Sequence, residues 1–129
     1  MVELELPFPP SVNHYYRRVG PRTLISREGR AYRERVCSAL AGIGLTEIPG
    51  SLAMATEVYP PDRRRRDLDN TQKALGDSLE KAGAYRDDSQ IDLLIVKRCE
   101  PVAGGAVIVR LVPFPLGRCP LCGGQYAQG

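Results

Sequence analysis

Val2, Leu4 and Leu6 alternate with Glu3 and Glu5, so the chain opens on a half-buried strand that Pro7, Pro9 and Pro10 stop. Tyr32, Val36, Leu40 and Ile43 recur at helical spacing behind Ser26, which predicts a helix from Arg27 to about Ile43 with Ser26 as its N-cap. Arg30, Arg33 and Arg35 fall off that apolar stripe and are expected to face water. Leu52 to Tyr59 is apolar on both faces, the mark of an interior strand, and Pro60-Pro61 ends it. From Asn70 a second helical pattern sets Leu68, Leu75, Leu79 and Ala82 on one face and Asp69, Lys73 and Asp77 on another, with Gly83 as its left-handed stop. Ile91 to Arg98 and Ala106 to Val112 read as two further strands, joined through Gly104-Gly105.

A helix between the strands at 52–59 and 91–98 makes a β-α-β unit, which predicts a parallel pair with a right-handed crossover. The Gly-Gly turn predicts that the last strand lies antiparallel to the one before it. The expected fold is α/β in the α+β two-layer sense, a mixed four-stranded sheet carrying two main helices. Residues 1–112 form the domain, and 113–129 is a tail without periodicity.

At 129 residues there is chain for one modest core, and no apolar run is long enough to cross a bilayer. The start, MVELELPFPP, lacks the pattern of a secretory signal, and a cytoplasmic location without membrane partners is expected. Cys37, Cys99, Cys119 and Cys122 are too few and too unevenly spaced for a disulfide framework. Cys37 reads as packing. Cys119 and Cys122, in a CPLCGG turn, have the gap of half a tetrahedral Zn²⁺ site, completed by a second subunit or by other residues of the same chain; the alternative is a reduced tail.

The net charge of +3 says little, but its distribution says more. Between Arg17 and Arg35 stand seven arginines and two glutamates, and Arg63, Arg64, Arg65 and Arg66 form a second cluster beside Asp67 and Asp69. Basic surface around carboxylates suits a protein that attracts a polyphosphate and hydrolyses one linkage. Asn13, Tyr15, Arg17 and Arg18 form a loop able to stack on bases and contact phosphates.

Asp67 and Asp69 are two residues apart, a spacing that turns both carboxylates to one side of an extended segment, and hard paired oxygens suit Mg²⁺. With Asp88 they could hold one or two ions, and Lys73 could assist as electrostatic stabiliser or proton donor. The residues alone also permit a structural use: Asp69 as N-cap, Lys73 paired with Asp77, and arginines neutralising Asp62 and Asp67. They leave open, too, a nucleic-acid-binding module without catalysis.

The segments PPSVNHYYR, SREGRAYRERV, PPDRRRRDLDNTQKALGDSLEKAGAYRDDSQI and the strand ending in VKR resemble, in order and spacing, the RusA family of Holliday junction resolvases. The resemblance runs from about residue 6 to 112 and leaves out the cysteine-bearing tail. It implies a homodimeric endonuclease that nicks four-way DNA junctions symmetrically, with a preference for particular dinucleotides. It also implies Mg²⁺, with Mn²⁺ as a substitute. Carried over by position, it implies metal-binding aspartates at Asp67, Asp69 and Asp88 and an essential lysine at Lys73. A nuclease acting on flaps or plain duplex is the alternative within the same chemistry.

Overall fold

In a computed structural model of the chain, residues 2–115, 122 and 124 are described. Five strands and helices fall where the periodicity predicts: β1 (Val2–Leu6), a helix at Arg27–Gly42, strands at Leu52–Tyr59 and Ile91–Arg98, and a last strand at Ala106–Pro113. Between β1 and the first long helix, however, the chain is not a loop. It makes a single helical turn, α1 (Val12–Tyr15), and a hairpin of β2 (Tyr16–Val19) and β3 (Arg22–Ile25). The long helix is therefore α2, and the later strands are β4, β5 and β6. Helix α3 spans Gln72–Lys81 and is preceded by a 3₁₀ turn, Leu68–Thr71, so the helical run announced at Asn70 starts in the tighter form.

The main sheet has the order β1-β6-β4-β5, with β4 and β5 parallel and the other neighbours antiparallel. The mixed sheet and the β-α-β pair match expectation, but β6 does not pair with β5. It inserts between β1 and β4, because the connection from Cys99 to Gly105 wraps across the end of β4. Cys99 N donates to Val58 O, and Val102 N donates to Pro60 O. The sequence of β4 requires this: it is buried along nearly its whole length, so it needs a strand on each side.

Alternate residues of every strand point to one side. Leu4 and Leu6, Leu52, Met54 and Val58, and Val107, Val109 and Leu111 form the sheet half of the core. Tyr32, Val36 and Leu40 of α2 and Leu75 and Leu79 of α3 cover them. Leu75 and Leu79 are fully buried, each contributing about 1.5–3 kcal/mol by removal from water. The opposite side is polar where Glu3, Arg110 and Glu57 form a ladder, with Arg110 donating to Glu3 (2.9 Å) and Glu57 (2.7 Å). This is the expected two-layer arrangement.

Ser26 caps α2 as predicted, its hydroxyl accepting from Gly29 N at 2.9 Å. Gly29 must be glycine: a β-carbon there would lie 2.4 Å from Tyr15 O and 2.7 Å from a side-chain carbon of Ile25. That close approach docks α1 and the hairpin onto the first turn of α2. Among the described residues no helix is long and apolar enough to cross a membrane. Cys119 lies outside the described residues, so the paired-cysteine site does too; Cys122 is exposed.

Candidate active site and nucleic-acid interface

The loop leaving β4 at Pro60 carries the arginine run, and its form is set by Asp62. That carboxylate accepts from Arg64 N (2.8 Å) and from Arg66 Nη1 (2.7 Å). The Arg66 hydrogen bond, with the Arg64 amide, holds Asp62 down at a pKa of about 2. Arg66 also lies over the Phe8 ring, 5.7 Å from its centre, and its carbonyl accepts from Arg98 Nη2 at 2.5 Å. Arg66 thus holds the loop in place, whereas Arg64 and Arg65 are exposed and Arg63 meets only Glu100 at the surface.

Past this loop the backbone is extended at Asp67 and turns into the 3₁₀ segment at Leu68. Asp67 and Asp69 are both exposed while Leu68 between them packs on the core, so the two carboxylates do share the wet side, though Asp69 is in a turn rather than a strand. Neither aspartate caps a helix with its side chain. Lys73 enters no ion pair among the described residues, because Asp77 is taken by Arg33. Of the structural uses that the sequence allowed, the arginine pairing of Asp62 is realised by Arg66, and those of Asp67, Asp69 and Lys73 are overturned.

The aspartates divide in two. Asp62, Asp77, Asp87 and Asp92 each accept a hydrogen bond from an N–H or hydroxyl group. Asp67, Asp69 and Asp88 accept none from any described residue and enter no ion pair. These are the three that the family resemblance singles out.

Their placement departs from a simple cluster. Among the described residues, one set of three metal-ligand side chains has its donor atoms within 4.8 Å of one another: Glu80, Asp87 and Asp88. Glu80 there accepts from Asp88 N (2.9 Å) and Asp87 from Ser89 N (2.8 Å), so the grouping ties down the turn before β5. Asp67 and Asp69 are not members. Pairing of Ile91 with Leu52 sets the start of β5 at the amino end of β4, while the arginine loop leaves the carboxyl end. Helix α3 spans that distance. Asp88 shares a cavity of about 250 Å³ with Gln72 and Gly76, so it returns to the amino-terminal half of α3, the half that bears Lys73. Both polar atoms of the Gln72 side chain are buried and have no hydrogen-bond partner among the described residues. A carboxylate such as Asp88 beside a buried amide without such a partner offers oxygen donors of the kind that suit a hard cation with its waters.

Tyr15, expected among the DNA contacts, is not one. It is fully buried, and its hydroxyl donates to Asp77, which Arg33 Nη2 also meets at 2.6 Å. Burial, and next the Asp77 hydrogen bond, push the Tyr15 phenol up. Arg33 is correspondingly drawn in rather than exposed. Asn13, Arg17 and Arg18 are exposed, the arginines on the outgoing strand of the hairpin. His14 lines one cleft together with Arg64 and Arg66, so the base of the hairpin adjoins the arginine loop.

Lys97 and Arg98 had not been singled out from the sequence. They join Arg63 to Arg66 in lining a depression of about 600 Å³. The signal was present: Val58 pairs with Arg98 in the parallel register, which brings the basic end of β5 to the end of β4 that launches the arginines.

The family profile described as "Endodeoxyribonuclease RusA" matches residues 7–111. The chain belongs to the RusA family. It is 48% identical over 107 residues to the crossover junction endodeoxyribonuclease RusA of Escherichia coli (strain K12), covering 79% of this chain and 85% of that protein. Its identity to the proteins of the same name from Enterobacteria phage 82 and Shigella sonnei (strain Ss046) is 49% over the same shares. The RusA match ends before the CPLCGG tail.

Proposed function

We propose that this chain is a structure-selective endodeoxyribonuclease that resolves four-way DNA junctions by paired nicks, acting as a two-fold homodimer. The observation that carries the chemistry is that Asp67, Asp69 and Asp88 have no hydrogen-bond donor or ion-pair partner among the described residues, whereas the other aspartates are all engaged. Those three carboxylates would hold Mg²⁺, or Mn²⁺ in its place, which when bound makes water a stronger nucleophile and offsets charge on the phosphate. Lys73, free of any ion pair among the described residues, supplies a positive charge or a proton at the reacting phosphate. Exposed Arg64 and Arg65, with Lys97 and Arg98, bind the flanking phosphates. A two-fold dimer fits the substrate because a junction offers two equivalent strands. Cys119 and Cys122 of two tails would supply four thiolates for a shared Zn²⁺, at about 0.5 Zn per chain.

Asp67→Asn tests the assignment: the folded variant should bind a labelled four-way junction as the parent does and fail to nick it. Parental cutting by that variant in Mg²⁺ would falsify the metal role. Retention of the junction by the parent protein without any Mg²⁺-dependent nicking would instead make the chain a binding module. Cutting of linear duplex at the junction rate would remove the structural selectivity.

A further inference from the structure

Beside Asp67 lies an open cleft of about 530 Å³, inside the range of about 300–1,000 Å³ typical of small-molecule sites. Its walls are of two kinds. Phe8 and Tyr32 give aromatic surface, and Arg66 covers the Phe8 ring from 5.7 Å. Asn70 and His14 give hydrogen-bonding edges: the Asn70 amide has no side-chain partner among the described residues, and Ser11 Oγ occupies only Nδ1 of His14, at 2.9 Å. Thr71 lines the cleft as well. It is 6% exposed, and its hydroxyl is buried without a hydrogen-bond partner among the described residues. A buried orphan hydroxyl beside an idle amide indicates a polar occupant, and the aromatic wall indicates a flat one.

We infer that this cleft takes a single unstacked nucleobase next to the phosphate being cut, with Asn70 as the group that reads its edge. The inference rests on the reading of the chain as a nuclease of branched DNA. Three observations favour a base over a protein segment. Asp67, one of the proposed metal ligands, is itself part of the cleft wall, so a nucleic-acid backbone is at hand. Arg35 and Arg64 at its rim suit the phosphates on either side of an extruded nucleotide. Asparagine can bond two atoms of one base edge, and the aromatic wall accepts any base face. A junction is a suitable source, since unpairing at a branch point costs less than in a continuous stack. Asn70 is thus a specificity-determining residue, distinct from the acids that hold metal.

The test uses the full-length protein and junctions identical except at the nucleotide flanking each cut, which is A, C, G, T or abasic. The parent should cut the best base about tenfold faster than the worst, and abasic junctions no faster than the worst. Asn70→Ala should compress the spread among the four bases to within about twofold while junction binding is retained. Ratios are compared, so a general loss of rate from the change beside Asp69 does not imitate the result. His14→Ala, at the exposed rim, provides a second variant and should narrow the spread if Asn70→Ala fails to fold. An abasic junction cut as fast as the best base, or a spread unchanged in both variants, overturns the base pocket while leaving the nuclease reading intact. Failure of the parent to cut any junction overturns both.

Discussion

The contact among Tyr15, Arg33 and Asp77 should hold the hairpin to the two-layer core, and Asp77→Asn measures how strongly. Asp77 accepts from the Tyr15 hydroxyl, from Arg33 Nη2 at 2.6 Å and from Arg33 Nε at 3.1 Å. The side chains of Arg33 and Asp77 are 27% and 18% exposed, between a surface pair worth about 0–1 kcal/mol and a buried one whose disruption costs about 3–5 kcal/mol. About 2 kcal/mol is therefore expected for Asp77→Asn in urea unfolding at neutral pH. A double-mutant cycle with Arg33→Met should give a coupling of at least about 1 kcal/mol. The pH dependence follows from the direction of the Asp77 shift. Partial burial pushes its carboxyl up, but the Tyr15 and Arg33 hydrogen bonds outweigh that and hold it below its ordinary 3.8. The stabilisation is then complete above the unfolded-state value and is lost as pH falls through the lower folded-state value. Parent and variant should converge below pH 3.8, not above it. Tyr15→Phe should cost about 1.5 kcal/mol and leave junction affinity unchanged, because the ring is fully buried. A loss below about 0.5 kcal/mol for Asp77→Asn with no coupling, or weaker DNA binding by a fully folded Tyr15→Phe, would refute this account.

Gly29→Ala should destabilise the protein by about 1–3 kcal/mol although alanine is the better helix former, because its β-carbon would meet Tyr15 O at 2.4 Å; a raised melting temperature would disprove the tight docking of α1. The double change of Arg17 and Arg18 to alanine should weaken junction binding and reduce the log-log salt slope by about 2, since each exposed arginine lost removes about one phosphate contact. Titration of binding against salt checks it, and an unchanged slope removes the hairpin from the interface.

Which parts of the structure were legible depended on whether the relevant physics was local. Strands β1, β4 and β5 and the start of α2 were readable because alternation, solid apolar runs and the Ser26 cap are properties of adjacent residues. The hairpin was not, since YRRV and RTLI carry arginines and no clean apolar face; Gly20-Pro21 was its one local mark. The position of β6 was hidden for a different reason. Gly104-Gly105 signals a reversal but not which edge is met afterwards, and that was settled by the need of β4 for neighbours on both sides.

The site shows the same division with greater consequence. Asp62, Asp67, Asp69, Asp77, Asp87 and Asp88 all lie in one polar stretch, and nothing in their spacing separates a structural acid from a reactive one. Tertiary structure separates them by supplying partners: Arg66 comes from the same loop as Asp62, but Tyr15 and Arg33 reach Asp77 from 62 and 44 residues away. Once Asp77 is claimed by α1 and α2, Lys73 four residues earlier loses the partner that helical spacing offered it. The network that anchors the hairpin therefore also leaves Lys73 without an ion pair among the described residues, on the helix that follows the exposed Asp67 and Asp69. Hence Asp77→Asn carries a second expectation: the neutral amide would keep at most an uncharged acceptor for Arg33 and could form no ion pair with Lys73. Cutting by the folded variant should suffer less than its stability, whereas a change that restored an acid to Lys73 should suppress cutting directly.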